Sequence, residues 1–446
     1  MNTTNTVTTL FLSAVLAFLP SAAFAQDEAE PAGKSGQLTL DDLRTFTDVF
    51  NQARRSYVEP VDDKTLLDSA IRGMLSELDP HSAYLAPEQF AELEDASRGR
   101  YSGVGVSLET GDQKIVVDAV INGSPADEAG INPGDIITAV DGRPVKGRFL
   151  PDAIDDMEGD PGSDITLTVV TPGGEERELS MTREYILIPS LGFEMLEESY
   201  GYFRITQFHR DSATHLEQAL ESIAAEGTEL RGLVIDLRDN PGGVLQPAVA
   251  IADGFLEEGV IVTTRGKNAS MQLEFSAHEG DWLPGAPVVI LVDRGSASAS
   301  EVLAGALQDH GRALIVGERT FGKGSVQSVL PLRNGGAIKL TTARYYTPSG
   351  RSIQAKGIVP DIEIDAYRDG YAEDETQRES DLAGHLENGG TEIPPPRPKS
   401  ASPVEFPVEQ ILSILEQADL LGGDQVVPDE NDTEETGNVD AIPGSG

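Results

Sequence analysis

The stretch Val288–Leu307, VVILVDRGSASASEVLAGAL, contains the pattern of a strand, a turn and a helix in that order. Its first five residues are all Val, Ile or Leu, which is typical of a strand buried on both faces. After a turn of small residues, Ala299–Gln308 has apolar residues at helical spacing. A similar pair occurs at Gly232–Leu237 and Val244–Phe255. Strands that alternate with helices from about residue 200 to 360 predict an α/β domain with βαβ crossovers.

Three serines, Ser296, Ser298 and Ser300, lie where that strand meets that helix. A hydroxyl exposed there would have backbone N–H groups and the helix dipole facing any negative charge that develops beside it. A serine-rich helix cap explains this stretch alone equally well. A second turn, RDNPGG at Arg238–Gly243, also follows a buried strand. Its N–H groups could complete an oxyanion hole or only cap the next helix.

A nucleophilic serine needs a base, and none of the six histidines has a recognisable triad context. Lys323 is a better candidate, because Gly322 and Gly324 on either side of it allow other groups to approach closely. Its amine becomes a useful base only if burial lowers its pKa from about 10.4. The segment resembles a phosphate loop only superficially, since Gly324 stands where such loops need Ser or Thr.

Short alternating strands with Pro and Gly turns replace the α/β pattern between about Tyr101 and Arg183, and they predict a β-rich module. Before this module, Thr39–Tyr57 and Asp63–Leu78 have apolar residues at helical spacing. Residues 26–98 are therefore predicted to form a helical N-terminal segment.

The two ends of the chain differ from the rest in composition. An apolar run at Leu10–Leu19, followed by Ala-Phe-Ala at 23–25, predicts a signal peptide at residues 1–25 and export to the periplasm. The alternative is an uncleaved membrane anchor facing the periplasm, because residues 1–9 carry no Lys or Arg. Residues 366–446 are acidic and rich in turns, so we expect them to be largely disordered, with one plausible helix at 408–421.

Composition excludes several classes of protein. The chain of 446 residues has 33 Lys and Arg against 75 Asp and Glu, a formal charge of −42, so it lacks the basic surface of a nucleic-acid binder. It has no cysteine, which excludes a disulfide scaffold, a thiolate metal site and a cysteine nucleophile.

The ordered set of motifs resembles the C-terminal processing (tail-specific) serine peptidases that contain a PDZ domain. The resemblance runs from about Leu40 to Pro360, and six blocks carry it: GMLSELDPHS (Gly73–Ser82), YSGVGVSL (Tyr101–Leu108), GSPADEAGINPGDIITAVDG (Gly123–Gly142), LVIDLRDNPGG (Leu233–Gly243), GSASASEVLAGAL (Gly295–Leu307) and GERTFGKGSVQ (Gly317–Gln327). It implies an α/β fold with a crotonase-like (Clp-type) peptidase core at 184–365, an inserted PDZ domain at 101–183 and the helical N-terminal segment.

The resemblance also implies catalytic roles and requires no metal or cofactor. Ser298 matches the nucleophile and Lys323 the base, while Gln327 matches a residue that orients the amine. The spacing of four places Lys323 and Gln327 on one face if that segment is helical. The amide of Ala299 and one amide of the Gly242-Gly243 pair would hold the oxyanion.

In the predicted PDZ domain, Gly103, Val104, Gly105 and Val106 match the loop that binds a substrate's terminal carboxylate. Successive backbone N–H groups suit a carboxylate, and the tail would add to the sheet as a strand. A plain β-turn is the alternative interpretation of these four residues. Glu158 stands where relatives often have Arg, so a ligand contact through that Arg is absent or rewired.

The expected function is that of a periplasmic serine endopeptidase that binds unstructured apolar C-terminal tails and cleaves through an acyl-enzyme. An adaptor protein and a homo-dimer or higher homo-oligomer are compatible with the sequence. One alternative is a non-catalytic PDZ scaffold or holdase that binds exposed C-termini. A crotonase-type acyl-CoA enzyme is a further alternative, which the predicted export disfavours.

Overall fold

The computed structural model describes residues 38–111, 114–188, 190–196, 199–364 and 377–389, together with Ser413. The predicted signal peptide therefore lies outside the described residues, as does the predicted helix at 408–421 apart from Ser413. No helix in the described ranges has the length and apolar character needed to cross a membrane. The chain divides into two compact units, Met1–Asp68 and Ser69–Gly446.

The first unit contains helix α1 (Leu40–Ser56) and the start of α2 (Asp63–Ser76). Thr39 and Asp42 form a capping box: the N–H of Thr39 donates to Asp42 Oδ2 at 2.8 Å, and the N–H of Asp42 donates to Thr39 Oγ1 at 3.2 Å. Both predicted helices are confirmed. No residue of α1 is buried, although one face of this helix is apolar.

The second unit begins with the end of α2, followed by β1 (Ala83–Leu85) and α3 (Pro87–Ser97). A β-rich module follows, and its elements are β2 (Arg100–Gly103), β3 (Val106–Gly111), β4 (Lys114–Val120), α4 (Pro125–Glu128), β5 (Ile136–Val140), β6 (Arg143–Pro144), α5 (Leu150–Asp155), β7 (Asp164–Val170), β8 (Glu176–Thr182) and β9 (Glu184–Leu187). The antiparallel sheet has the order β3-β4-β5-β7-β8, with β6 paired to β5. Alternate residues of β7 point inward, which explains its period of two, and the module has its own apolar core.

The α/β domain that follows has the predicted crossovers. Its elements are β10 (Leu191–Leu196), β11 (Tyr200–Ile205), α6 (Ser212–Ala225), β12 (Gly232–Asp236), α7 (Leu245–Asp253), β13 (Val260–Gly266), β14 (Glu274–Ser276), β15 (Val288–Val292), α8 (Ala299–Asp309), β16 (Ala313–Gly317), β17 (Ser325–Pro331), β18 (Ala337–Tyr346) and β19 (Ile362–Glu363). The main sheet has the order β10-β11-β12-β15-β16-β19, and all its pairs are parallel except β10 with β11.

Parallel pairing explains how the two motif turns meet. Strands β12 and β15 are neighbours in register, with Asp236 opposite Leu291, so the turns that follow them lie at the same edge of the sheet. The largest apolar core packs the main sheet against α6, α7 and α8. A second sheet, β1-β18-β13-β14 with β17 on β18, carries the segment that follows Lys323.

Two expectations differ from the structure. The segment after Lys323 is not helical: Ser325–Pro331 forms strand β17, because the β-branched Val326 and Val329 favour a strand and the glycines on both sides of Lys323 disfavour a helix. Within the acidic tail, residues 377–389 have a defined conformation that includes a 3-10 helix at Glu379–Asp381. Glu379 is fully buried there.

Candidate active site

Ser298 lies between β15 and α8, immediately before the first residue of the helix. Its backbone has φ 55° and ψ −113°, a conformation that costs free energy for a residue with a Cβ and that persists only where its surroundings enforce it. Its neighbours Ala297 and Ala299 are buried, whereas Ser298 itself is partly exposed. The turn therefore presents one hydroxyl from an otherwise buried stretch.

The two neighbouring serines, Ser296 in the turn and Ser300 at the start of α8, have structural hydrogen bonds. Ser296 Oγ donates to the carbonyl of Leu237 at 2.8 Å, and Ser300 Oγ donates to the carbonyl of Asn240 at 3.0 Å. Both residues are fully buried. They fasten the turn of Ser298 to the turn that follows β12.

Gly242 lies against Ser298 without room for a side chain. A Cβ on Gly242 would be 2.8 Å from the Cβ of Ser298 and 3.0 Å from the backbone nitrogen of Ala299. Its own N–H is occupied, since it donates to Asn240 Oδ1 at 2.9 Å. Within the described residues, the N–H groups of Gly243 and Ala299 make no hydrogen bond. These two N–H groups are the ones left to bind an oxyanion, so Gly243 is a better candidate than Gly242.

Glu301 joins the turn of Ser298 to the segment that carries Lys323. Its buried carboxylate accepts the N–H of Ser298 at 2.8 Å and the N–H of Lys323 at 2.9 Å on a single oxygen, Oε2. The backbone nitrogens of Ser298 and Lys323 are therefore no farther apart than the sum of these two hydrogen-bond distances. Oε1 accepts the N–H of Gly322 at 2.8 Å and the hydroxyl of Thr320 at 2.5 Å.

The burial of Glu301 has an electrostatic consequence: it raises the pKa of its carboxyl to about 7, although all four donors lower it. Sequence reasoning missed this residue. Its only signal was an acidic side chain three residues after a serine at a helix start, which reads as an ordinary capping box.

Lys323 lies in an irregular segment between β16 and β17, and it is partly buried. Its flanking glycines allow a close approach: a Cβ on Gly324 would lie 2.2 Å from the nitrogen of Gln354, and one on Gly322 would lie 3.2 Å from the nitrogen of Lys356.

Burial lowers the pKa of Lys323, and the positive charge of Lys339 lowers it further. The carboxylates of Glu379 and Glu301 raise it to a smaller extent. A lysine in such surroundings loses its proton more easily than one in water, which is what a general base requires.

Gln327 lies on β17, so the expected helical face shared with Lys323 does not exist. Its side-chain amide donates to Ser325 Oγ at 3.0 Å and to Thr341 Oγ1 at 3.2 Å. Those contacts hold Gln327 between two strands.

The predicted carboxylate-binding loop, Gly103 to Val106, connects β2 with β3. Its backbone at Gly105 has φ 84°, and a Cβ there would lie 2.3 Å from the Cβ of Ser124, so glycine is required. The carbonyl of Val104 accepts the N–H of Ala126 at 2.9 Å, which fastens the loop to α4. In the described part of the sheet, β3 is an edge strand, and an edge strand can accept another chain.

Charge near this loop comes from Glu158. Burial raises the pKa of Tyr101, the charge of Glu158 raises it further, and the N–H of Gly105 opposes both. Burial and the carboxylates of Glu92 and Asp155 in turn raise the pKa of Glu158.

Three regions match known protein families. Residues 199–364 match the profile of peptidase family S41, residues 116–171 match the PDZ domain, and residues 11–89 match the activating protease CtpB N-terminal domain.

Individual proteins are similar to this chain over most of its length. The chain is 40% identical to the carboxy-terminal-processing protease of Bartonella bacilliformis over 385 residues, which cover 84% of this chain and 86% of the relative. It is 34% identical to a probable CtpA-like serine protease of Staphylococcus aureus over 363 residues, 80% of this chain and 71% of that one. Among solved structures, the photosystem II D1 C-terminal processing protease matches with a TM-score of 0.45 and 33% identity, over 73% of this chain and 94% of that protein.

Proposed function

The chain belongs to the carboxy-terminal-processing proteases of peptidase family S41, and from this premise we propose that its serine peptidase activity uses Ser298 as nucleophile and Lys323 as base. The observation that carries the proposal is the carboxylate of Glu301, which binds the backbone of both residues through one oxygen. The backbone of a lysine with a lowered pKa is thereby joined, through one carboxylate, to the backbone of a serine on a strained turn, which supports the proposal.

In the proposed mechanism, neutral Lys323 takes the proton of the Ser298 hydroxyl as that oxygen attacks a peptide carbonyl. The carbonyl oxygen becomes an oxyanion that accepts the N–H groups of Ala299 and Gly243. Lys323 then gives its proton to the leaving amine as the C–N bond breaks, and an acyl-enzyme remains. Lys323 next takes a proton from water as the water oxygen attacks the ester carbonyl, and it gives that proton to Ser298 Oγ as the ester C–O bond breaks.

We further propose that the PDZ domain selects substrates by their C-terminal tails. The tail would pair with edge strand β3, and its carboxylate would meet N–H groups of the loop Gly103–Val106. An unstructured apolar tail fits this role, because an extended chain can satisfy its backbone by pairing with the edge.

Location and assembly belong to the same proposal. The leader at residues 1–25 would deliver the protein to the periplasm, with a membrane anchor facing the periplasm as the alternative. The exposed apolar face of α1 would suit a contact in a homo-dimer or higher homo-oligomer. Delivery of substrates by an adaptor remains a prediction from the sequence.

The test uses the full chain and an unfolded protein substrate with an apolar C-terminal tail, with cut sites identified by mass spectrometry. We expect Ser298→Ala and Lys323→Ala each to lower kcat/KM about a thousandfold or more, because each removes a reacting group. Matched controls are Ser222→Ala and Lys267→Ala, both at exposed positions. Substantial cleavage by either dyad variant would refute the dyad, and tail binding without any product from the parent chain would favour a scaffold or holdase.

A further inference from the structure

Residues 377–389 lie beyond the part of the chain that matches the S41 profile, yet they pack against the catalytic domain. Their anchor is Glu379, whose side chain has no exposed surface. Glu379 Oε2 lies 2.7 Å from His81 Nε2, and Oε1 accepts the side-chain amide of Gln354 at 2.8 Å. A buried carboxylate costs free energy unless it is paired and hydrogen-bonded, and Glu379 has both kinds of contact.

The segment holds both sides of Lys323. On one side, the N–H of Glu379 donates to the carbonyl of Phe321 at 3.2 Å. On the other, the fully buried amide of Gln354 connects Glu379 to Gly324, since its Oε1 accepts the N–H of Gly324 at 3.0 Å. The same amide donates to the carbonyl of Leu386 at 3.0 Å, so a second turn of the segment contributes.

Charged groups face Lys323 from three elements: Glu301 on α8, Lys339 on β18 and Glu379 on the C-terminal segment. Glu379 itself faces His81 and Lys323. Burial alone would raise the pKa of Glu379, but the hydrogen bonds from His81 and Gln354 and the nearby positive charges bring it below its usual range. Glu379 is therefore an anion at neutral pH, placed beside a lysine that Lys339 repels.

We propose that Glu379 is a positioning residue for the catalytic base: it fixes the segment Phe321–Gly324 and opposes the charge of Lys339. The proposal rests on the proposed role of Lys323 as base. It makes residues 377–389 a functional part of the peptidase rather than a part of an inert tail.

The charges around Lys323 decide in which direction its pKa changes when Glu379 is replaced. Without the anion of Glu379, burial and Lys339 act on Lys323 with less opposition, so the pKa of Lys323 falls. A lower pKa means that the neutral amine persists to lower pH. The acid limb of the profile of kcat/KM against pH, which reports the free enzyme, must then move to lower pH.

The experiment measures kcat/KM of the full chain against pH with the unfolded tailed substrate. For Glu379→Gln, we expect kcat/KM on the acid limb, relative to its plateau, to rise about threefold or more at each pH. The matched control is Glu387→Gln, which removes the same charge from an exposed position of the same segment and should leave the profile unchanged. Lys339→Gln should move the acid limb in the opposite direction.

Because an unpaired partner of Glu379 could prevent folding, the double variant His81→Gln/Glu379→Gln replaces both members of the pair and must show the same shift. The proposal would be overturned if both variants lowered kcat/KM by the same factor at every pH and left the acid limb where it is, because a loss of packing alone would explain that result. The dyad fails separately: it would be refuted by activity of Ser298→Ala, whatever the profile of the Glu379 variants shows.

Discussion

The peptidase domain and the PDZ domain hold their functional loops by opposite means. In the peptidase domain, carboxylates fix the loops: the buried Glu301 binds the turn of Ser298 and the segment of Lys323, and the partly buried Asp293 accepts the N–H groups of Asp239, Gly295 and Ser296 at 2.9 to 3.0 Å. In the PDZ domain, backbone hydrogen bonds hold the loop Gly103–Val106 together with the hydroxyl of Ser124, which donates to the carbonyl of Gly105 at 3.3 Å; among the described residues, no carboxylate binds this loop.

The difference reflects what each region has to do. A carboxylate without solvent costs free energy, yet it can hold several N–H groups at fixed positions, as proton transfer between two side chains requires. Binding an extended tail needs only free N–H groups and an open strand edge, which backbone and glycine provide. Substitutions in the peptidase domain should therefore reduce turnover, whereas those in the PDZ domain should reduce affinity.

The largest effect is expected from glycine substitutions, one in each region. In Gly243→Ala, the new Cβ would lie 2.3 Å from the carbonyl oxygen of Phe208 at φ 132°, so an oxyanion donor must shift and kcat should fall about a thousandfold. In Gly105→Ala, the clash with Ser124 distorts only the tail-binding loop.

The readout for this pair is cleavage of a tailed protein and of a short peptide without a PDZ-binding tail. Gly105→Ala should raise KM for the tailed protein and leave the short peptide unaffected. The comparison between the regions would be wrong if Gly243→Ala changed KM alone, or if Gly105→Ala abolished cleavage of both substrates.

The next effect is that of Glu301→Gln, which replaces one carboxylate oxygen by an NH2 group. The remaining oxygen can accept either the N–H groups of Ser298 and Lys323 or the N–H of Gly322, so one of these two sides loses its acceptor. A misplacement of about 1 Å costs about a hundredfold in rate, so kcat should fall by about that factor with little change in KM. The control is Glu178→Gln on the exposed face of β8 in the PDZ domain. Equal kinetics of the two variants would show that Glu301 does not position the dyad.

The carboxyl group of Glu301 should also make the stability of the protein depend on pH. Its pKa rises from 4.5 unfolded to about 7 folded, so the folded state binds the extra proton between those values. The free energy of unfolding therefore falls as pH rises through this window, by about 3 kcal/mol in total. The free energy of unfolding, measured in urea, should fall more from pH 5 to pH 7 for the parent chain than for Glu301→Gln. An equal fall for the two proteins would contradict the shifted pKa.

Local patterns predicted most elements of the fold, because periodicity reports burial on one or both faces. The strand at Val288–Val292 was predicted to the residue, and helix α8 to within one residue of its end. The helix on which a shared face of Lys323 and Gln327 depended does not form, because the glycines on both sides of Lys323 disfavour it.

The contacts that complete the candidate site could not be predicted, because they join distant parts of the chain. His81 and Glu379 are separated by 298 residues, and neither carries a local signal for the other. Glu301 looks like a helix-capping residue until folding brings the Lys323 segment to it. An acidic composition likewise describes the tail on average and cannot show that Glu379 is buried.

A smaller effect is expected from shortening the chain. A chain that ends at Thr376 lacks Glu379 and the contacts of Gln354 with Leu386, so kcat/KM should fall about tenfold through loosening of the Lys323 segment. A chain that ends at Gly389 keeps every one of these contacts and is the control. If both shortened chains matched the parent chain, residues 377–389 would have no part in catalysis.

The smallest effect concerns charge at the PDZ loop. Glu158 is close enough to Tyr101 to raise its pKa, and the N–H of Gly105 faces the same hydroxyl, so a tail carboxylate docking there would meet a like charge. Glu158→Gln should therefore tighten tail binding about twofold, a modest change because water screens exposed charges. Affinity is best measured by fluorescence anisotropy with a labelled tail peptide on the Ser298→Ala background, with Glu178→Gln as control. The gain in affinity should vanish for a peptide with an amidated C-terminus, since the repulsion acts on the carboxylate. An equal gain for both peptides would show that Glu158 does not face the tail carboxylate.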